Sequence, residues 1–249
     1  MGATTRIAWT DATWNPISGC TKVSPGCLHC YAADLDKRFH RDGPYVPWTV
    51  AAQRKAGVSA IHLHPERLDA PLHWKKPRRI FVNSMSDLFH EDVPFEFIGK
   101  VFMVMAMTPK HCFQVLTKRP GRMLEWFAWA DAHKVYEDKN SPPLPRWAML
   151  HELWPLPNVW LGVSVENQRY ADERLPLLVQ CPAAVRFVSY EPALGPVNFK
   201  PFFYVCSGCG QSPCVCKGLA LHQIIVGGES GPNHRPMNIE WVQALADQC

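Results

Sequence analysis

The chain alternates short apolar runs with segments of helical periodicity, and this alternation constrains its fold more than any other feature. Five runs predict buried strands over residues 80–83, 113–116, 159–164, 185–188 and 224–227, and a weaker candidate covers 14–17. Apolar residues recur at helical spacing between several of these runs, over residues 95–105, 123–130 and 170–178. This order predicts an α/β fold with a parallel sheet and right-handed crossovers.

Each of the five strands is followed by a hydroxyl residue or a glycine and then by a charged residue. The segments are Ser84-Met85-Ser86-Asp87, Thr117-Lys118-Arg119, Ser164-Val165-Glu166, Ser189-Tyr190-Glu191 and Gly227-Gly228-Glu229-Ser230. Because the carboxyl ends of barrel strands build the active site of α/β barrels, the five segments together predict one shared ligand site. Two alternatives stay open: these residues cap the helices that follow, or the charges of Lys118 and Arg119 simply face solvent.

The length of 249 residues and the hydrophobic content of 47% suit one α/β domain over residues 1–249. A formal net charge of +4 permits an anionic or nucleic-acid partner without requiring one. Three segments interrupt the repeat and are predicted insertions or lids, at about 39–77, 134–157 and 200–219.

The beginning of the chain favours a cytoplasmic protein. Residues 1–14 lack the basic start and apolar run of a secretory signal, and no apolar stretch approaches the ~18 residues of a membrane span. We therefore expect no membrane partner. In the cytoplasm disulfides rarely persist, so clustered cysteines among the ten in this chain predict metal binding.

The first cysteine cluster is Cys20, Cys27 and Cys30, within one short loop. Three thiolates can hold three irons of a [4Fe–4S] cluster and leave the fourth iron open to a small molecule, whereas four-thiolate sites are usually closed. The loop therefore predicts an iron–sulfur enzyme. Zinc remains an alternative, with His29 or His40 as the fourth ligand.

The second cysteine cluster is Cys206, Cys209, Cys214 and Cys216, with glycine and proline between the thiols. Four thiolates suit a tetrahedral zinc ion or a second iron–sulfur cluster, and incidental cysteines are the third possibility. The cluster lies between two predicted strands, which makes it an inserted cysteine knuckle. Zinc knuckles can contact nucleic acid.

Several segments together resemble a phage-associated radical SAM-like protein family. They are residues 9–20, the Cys-x6-Cys-x2-Cys loop with Tyr31 and Ala32, and residues 86–89, 116–120, 162–166, 191–196 and 227–231. The resemblance covers nearly the whole chain. It implies a partial (β/α)6 TIM-like barrel and a [4Fe–4S] cluster on Cys20, Cys27 and Cys30. The loop departs from the commonest radical SAM spacing, because six residues rather than three separate its first two cysteines.

The resemblance also implies a reaction. S-adenosylmethionine (SAM) on the open iron would be cleaved reductively to a 5′-deoxyadenosyl radical that abstracts hydrogen from a substrate, with flavodoxin or ferredoxin as electron donor. The phage association makes a nucleobase or nucleotide, modified or not, the expected substrate, and the host cytoplasm the expected location. Whether that substrate is a small molecule or a nucleic acid stays open.

The resemblance assigns provisional roles around SAM. The segment Gly227-Gly228-Glu229 is similar to one that receives the SAM amino group, and Ser84, Ser86 and Asp87 are its rivals for that role. Glu166 and Glu191 would accept from ribose hydroxyls or from substrate, and Lys118 and Arg119 would bind a carboxylate or phosphate. His29 either stacks on the adenine or is a loop histidine. Thr117 and Ser164 complete the expected cofactor contacts, and no catalytic residue is assigned.

Two other functions fit parts of the sequence. One is a zinc-dependent nucleic-acid-binding protein in which both cysteine clusters are structural. The other is an iron–sulfur electron-transfer protein without SAM chemistry. The five polar strand ends favour the enzyme, because a binding module or an electron carrier has little need of a polar cavity.

Overall fold

The fold was analysed in a computed structural model. The structure describes residues 5, 7–33, 35, 61–132, 154–203, 220–230 and 233–249. The strands are Ala12–Trp14 (β1), Ile17–Ser18 (β2), His62–Leu63 (β3), Arg79–Val82 (β4), Cys112–Thr117 (β5), Val159–Ser164 (β6), Val185–Tyr190 (β7) and Gln223–Val226 (β8). The helices are Ala70–His73 (α1), Phe95–Met107 (α2), Pro120–Ala132 (α3), Gln168–Gln180 (α4), Lys200–Phe203 (α5) and Ile239–Ala246 (α6).

Six strands form one parallel sheet in the order β1-β4-β5-β6-β7-β8, which follows the chain without reversal. The short strands β2 and β3 pair antiparallel beside it. Because all six strands run the same way, their carboxyl ends meet at one edge. The predicted α/β class and parallel sheet are confirmed.

One face of the sheet packs against α2, α3 and α4 and forms the main hydrophobic core. Along each strand every second residue points to this face, because side chains alternate across a sheet. The strand residues of this core include Ile80, Val82, Phe113, Val115, Leu161, Val163 and Val188. An aromatic group from the helical side, with Phe102 stacked on Trp126 at 4.4 Å between ring centroids, fills the space behind them.

The opposite face is apolar near the amino ends of the strands. There Trp9 packs on Phe81 and Phe187, with ring centroids 4.7 and 6.4 Å apart. Phe187 also explains Gly162, because a Cβ at position 162 would lie 2.5 Å from that ring. Gln114 lies at the level of this aromatic packing, opposite Phe81 and Trp160. Towards the carboxyl ends the same face carries Lys118, Ser164, Ser189 and Glu191, and we call these four residues the polar face.

The five strong strand predictions and the three helix predictions are confirmed, with ends that differ from the predicted ones by at most three residues. The weak prediction over 14–17 is wrong in its boundaries: β1 ends at Trp14 and β2 begins at Ile17, because Pro16 has no N–H for a sheet ladder. The region predicted as an irregular connection at 39–77 contains β3 and α1 in its described part, residues 61–77.

Of the insertions predicted at 134–157 and 200–219, the structure describes only residues 154–157 and 200–203. The second cysteine cluster, Cys206, Cys209, Cys214 and Cys216, also lies outside the described residues. No helix in the described ranges combines the length and apolar character needed to cross a membrane.

Candidate functional site

The loop of Cys20, Cys27 and Cys30 lies at the carboxyl edge of the sheet. It leaves β2 through Gly19, whose positive φ of 91° favours glycine and which bridges to Ser86 beyond β4. A single 3-10 turn at Pro25–Cys27 then reverses the direction of the chain before Cys30. All three thiols are free and partly buried.

Arg119, directly after β5, holds the first part of this loop. Its Nη2 donates to the Thr21 hydroxyl at 2.6 Å and to the Thr21 carbonyl at 3.2 Å, and its Nη1 donates to Cys20 Sγ at 3.7 Å. Nε donates to Glu91 at 2.9 Å. The Arg119 side chain is only 8% exposed, so the alternative that its charge faces solvent is wrong.

Asp87 joins the ends of β4 and β5. Its Oδ1 accepts from the Thr117 hydroxyl at 2.7 Å and from the Phe89 N–H at 3.0 Å, and its Oδ2 accepts from the Lys118 N–H at 2.9 Å. Arg119 Nη1 lies 3.5 Å from the same Oδ2. Both carboxylate oxygens and the Thr117 hydroxyl are therefore already used inside the protein.

Glu166, after β6, holds the middle of the loop. It is fully buried, and its Oε1 accepts from the Ser24 hydroxyl at 2.6 Å while its Oε2 accepts from Arg174 at 2.9 Å. Gly26 packs so closely on this carboxylate that a Cβ there would lie 2.5 Å from Oε1. The helix-capping alternative is wrong for Glu166, because Asn167 caps α4.

A third contact comes from beyond β8. Glu229 is ion-paired with Arg235, whose Nη2 also donates to the Pro25 carbonyl at 2.8 Å. Hydrogen bonds from Arg235 lower the pKa of Glu229 to about 2, and the nearby His29 contributes to this shift. The strand ends of β5, β6 and β8 thus each supply one ion-paired residue that fixes the cysteine loop. We refer to these as the three loop anchors: Arg119, Glu166 and Arg235.

The surroundings treat two of the thiols differently. Burial raises the pKa of Cys20 to about 12, with Asp87 adding to the rise and Arg119 opposing it. Burial also acts to raise the pKa of Cys27. There, however, the charge of Lys118 and hydrogen bonds from Val23 and Ser24 outweigh it, so the pKa falls below its ordinary value. Cys27 is therefore the more readily ionised of the two.

Ser84 and Ser86 make contacts within the protein. The Ser84 hydroxyl lies 3.2 Å from the Asn15 side chain, and its carbonyl accepts from the Tyr31 hydroxyl at 2.5 Å. The Ser86 hydroxyl donates to the Ile17 carbonyl at 3.0 Å. The two serines therefore join the strand ends of β1, β2 and β4.

The polar face lies beside the loop. Lys118 Nζ donates to the Ser164 hydroxyl at 3.2 Å, and the Ser189 hydroxyl donates to Glu191 at 3.0 Å. A Cβ at position 227 would overlap Glu191 Oε1, so any side chain there would require Glu191 to shift. Gly228 is exposed and has open space up to the Met237 side chain.

Sequence reasoning missed several residues of this site. Arg174 and Arg235 carry no local signal, because their partners are brought to them only by the fold. Asn83 is another: it has a positive φ of 59°, is 2% exposed, and neither atom of its amide has a partner in the described structure. Its place directly after a buried strand was the available clue.

Among the described residues, no group of three or more His, Cys, Asp and Glu side chains is assembled to hold a metal ion. The three thiols of the loop nevertheless supply the soft donors that iron–sulfur clusters use, and a cubane takes one thiolate for each of three irons rather than all of them on one ion. The donor chemistry of the loop fits such a cluster.

Fold and site define a parallel α/β protein with a three-cysteine loop fixed by ion pairs at the carboxyl edge of its sheet. A sequence model of the family described as "Protein of unknown function (DUF5131)" matches residues 4–249, and the chain belongs to this family. No curated protein and no solved structure matches it.

Proposed function

We propose that this protein is a radical SAM enzyme with a [4Fe–4S] cluster on Cys20, Cys27 and Cys30. The observation that carries the proposal is the fixing of a three-thiol loop by the three loop anchors at the carboxyl edge of a parallel sheet. Such an edge is where α/β proteins bind their ligands. Three buried or partly buried ion pairs are more than an ordinary surface loop requires.

The sheet order supports a partial (β/α)6 TIM-like barrel of the radical SAM type. Strands added one after another in chain order, all parallel, are the pattern of a barrel wall, whereas doubly wound sheets reverse their order at a switch point. The polar face would then line the inside of the barrel. The aromatic packing of Trp9, Phe81 and Phe187 would close its amino end.

Cys20, Cys27 and Cys30 would hold the cluster, which would supply one-electron reduction of SAM, and the SAM-derived radical would take hydrogen from a substrate. The chain's own residues prepare the site for this chemistry. Lys118 and Ser24 favour ionisation of Cys27, Arg119 donates to Cys20, and Glu166 and Arg235 hold the turn between these two cysteines.

The structure narrows which side chains are free to contact SAM or substrate. Three of the acidic residues already bind other groups of the protein through their carboxylates: Asp87, Glu166 and Glu229. Gly228, Lys118 and Glu191 keep more of their polar groups free. We therefore place the SAM amino-acid part near Gly227 and Gly228, and the substrate, a nucleobase or nucleotide, over the polar face.

The test is anaerobic reconstitution with iron and sulfide, followed by reduction and addition of SAM. We expect the visible absorption of an iron–sulfur cluster, about four irons per chain, and release of 5′-deoxyadenosine. Cys27→Ala should abolish release of 5′-deoxyadenosine and remove about four irons per chain with their absorption, while the control Cys112→Ala, on β5, should keep all three signals. Well-folded wild-type protein that binds zinc instead of iron, or yields no 5′-deoxyadenosine, would contradict the proposal.

A further inference from the structure

Lys118 differs from the other cations at the carboxyl edge. Arg119 is paired with Asp87 and Glu91, and the remaining arginines are paired in the same way. The other pairs are Arg174 with Glu166 and Arg235 with Glu229. Lys118 makes no ion pair with any carboxylate of the described residues, although it is partly buried.

The backbone and the neighbours of Lys118 aim its ammonium group over the polar face. Its N–H is fixed by Asp87 at 2.9 Å, and its Nζ donates to the Ser164 hydroxyl at 3.2 Å. An ammonium group has three N–H donors, so this one hydrogen bond leaves two of them for a ligand. The charge of Lys118 acts on the neighbouring thiol, because it lowers the pKa of Cys27, but no carboxylate of the described residues pairs with it. An anionic ligand on the two remaining donors would offset the cost of its partial burial.

A second observation on the same strand also indicates a ligand. Gln114 and Lys118 are an even number of positions apart, so their side chains lie on the same face of the sheet. Gln114 is paired with Phe81 and Trp160 in the neighbouring strands. It is 1% exposed, and its Oε1 has no hydrogen-bond partner in the described structure. Four residues along a strand separate Gln114 from Lys118, about 13 Å. A buried acceptor of this kind calls for a donor.

We propose that Lys118 and Ser164 bind an oxyanion of the substrate, a phosphate or carboxylate, while Gln114 accepts from an N–H or O–H group deeper in the same molecule. This assignment rests on the proposed function and deepens it. It favours a nucleotide over a neutral nucleobase as the substrate class. SAM itself carries a carboxylate, so the experiment must separate the two sources of negative charge.

The test measures binding by calorimetry on the reconstituted protein with four probes: inorganic phosphate, cytidine, cytidine 5′-monophosphate and SAM. Lys118→Met removes the charge at nearly constant shape. We expect it to weaken binding of phosphate and of the monophosphate about 10- to 100-fold, as loss of a charge-assisted hydrogen bond does, and to leave binding of cytidine unchanged. Ser164→Ala should weaken the same two probes by a smaller factor.

Lys118→Arg, which keeps the charge, should retain phosphate binding and so separates loss of the charge from loss of the fold. The matched control is Lys110→Met, an exposed lysine just before the amino end of β5, which should bind all four probes as the wild type does.

Equal phosphate affinity of wild type and Lys118→Met, including no measurable binding by either, overturns the inference. So does a loss confined to SAM, which would assign Lys118 to the SAM carboxylate. Cluster absorption is recorded on the same samples. Failure of the radical SAM proposal would therefore appear as missing absorption, independently of whether phosphate binding depends on Lys118.

Discussion

Replacing Gly26 by alanine is the sharpest test of the way the cysteine loop is held. The new Cβ would lie 2.5 Å from Glu166 Oε1, 2.7 Å from Cγ and 3.0 Å from Cδ. The Glu166 side chain cannot move away, because it is fully buried and its two oxygens are bonded to Ser24 and Arg174. The loop itself must therefore shift outward.

The cost of that shift has two parts. Overpacking of a buried site typically costs about 1–3 kcal/mol, and losing the charge-assisted bond from Ser24 adds about 1–2 kcal/mol. We expect Gly26→Ala to lower the free energy of unfolding by about 2–5 kcal/mol. We also expect it to reduce the iron bound after reconstitution, because Cys27 follows directly.

The assay is urea unfolding of the apoprotein followed by tryptophan fluorescence, with iron content measured in parallel. Gly121→Ala in α3 is the control, because a Cβ there meets nothing within 4 Å and alanine favours the helix. Shortening the partner in Gly26→Ala/Glu166→Asp should recover part of the loss. A Gly26→Ala protein with wild-type stability and iron content would refute the reasoning.

Three further predictions concern stability, all measured by chemical denaturation. Glu229→Gln should lower the free energy of unfolding by about 1–2 kcal/mol at pH 7. In the folded protein the pKa of Glu229 is about 2, below its ordinary value. The ionised carboxylate therefore contributes its full share to the free energy of unfolding above about pH 4.3, and this contribution is lost as the pH falls towards 2. The cost is smaller than the full pKa shift implies, because Arg235 is one-third exposed and solvent screens its interaction with Glu229. A loss that persists at pH 2 would contradict this. Asn83→Gly should raise stability by about 1 kcal/mol, since it removes a positive φ and an unpaired buried amide. The exposed Asn233, with φ of 60°, should gain less from the same change. Arg174→Met should lower the free energy of unfolding by about 3–5 kcal/mol, because it leaves Glu166 buried without a counter-charge. Adding Glu166→Gln should restore most of that loss. If the losses of the two single variants simply add in the double variant, the pairing is refuted.

Most of the sheet could be predicted because its strands carry their own signal. Residues 159–164, for example, are buried on both faces, and such strands appear in the sequence as continuous apolar runs. The meeting of the strand ends at one edge followed from the parallel arrangement alone. The split between β1 and β2 was missed because the predicted strand over 14–17 was carried through Asn15 and Pro16, and the proline ends the ladder there.

The individual partners within the site could not be predicted, because they depend on long-range contacts. Ser24 and Glu166 are 142 positions apart in the chain. The identity of a residue does not tell whether its carboxylate faces a ligand or a loop. Asp87 and Glu166 were expected to contact SAM or substrate, yet both bind the protein itself. Arg119 was left open between ligand and solvent, and it instead holds Thr21.

The contact between Arg235 and the Pro25 carbonyl spans 210 positions. A ribosome makes the cysteines near the start of the chain long before it makes this arginine. The thiol loop therefore acquires its last support only after β8 and Arg235 have been made and have docked. Iron and sulfide inserted before that point would meet a loop that Arg119 and Glu166 hold but Arg235 does not. Maturation of the cluster is thus expected to follow the docking of β8.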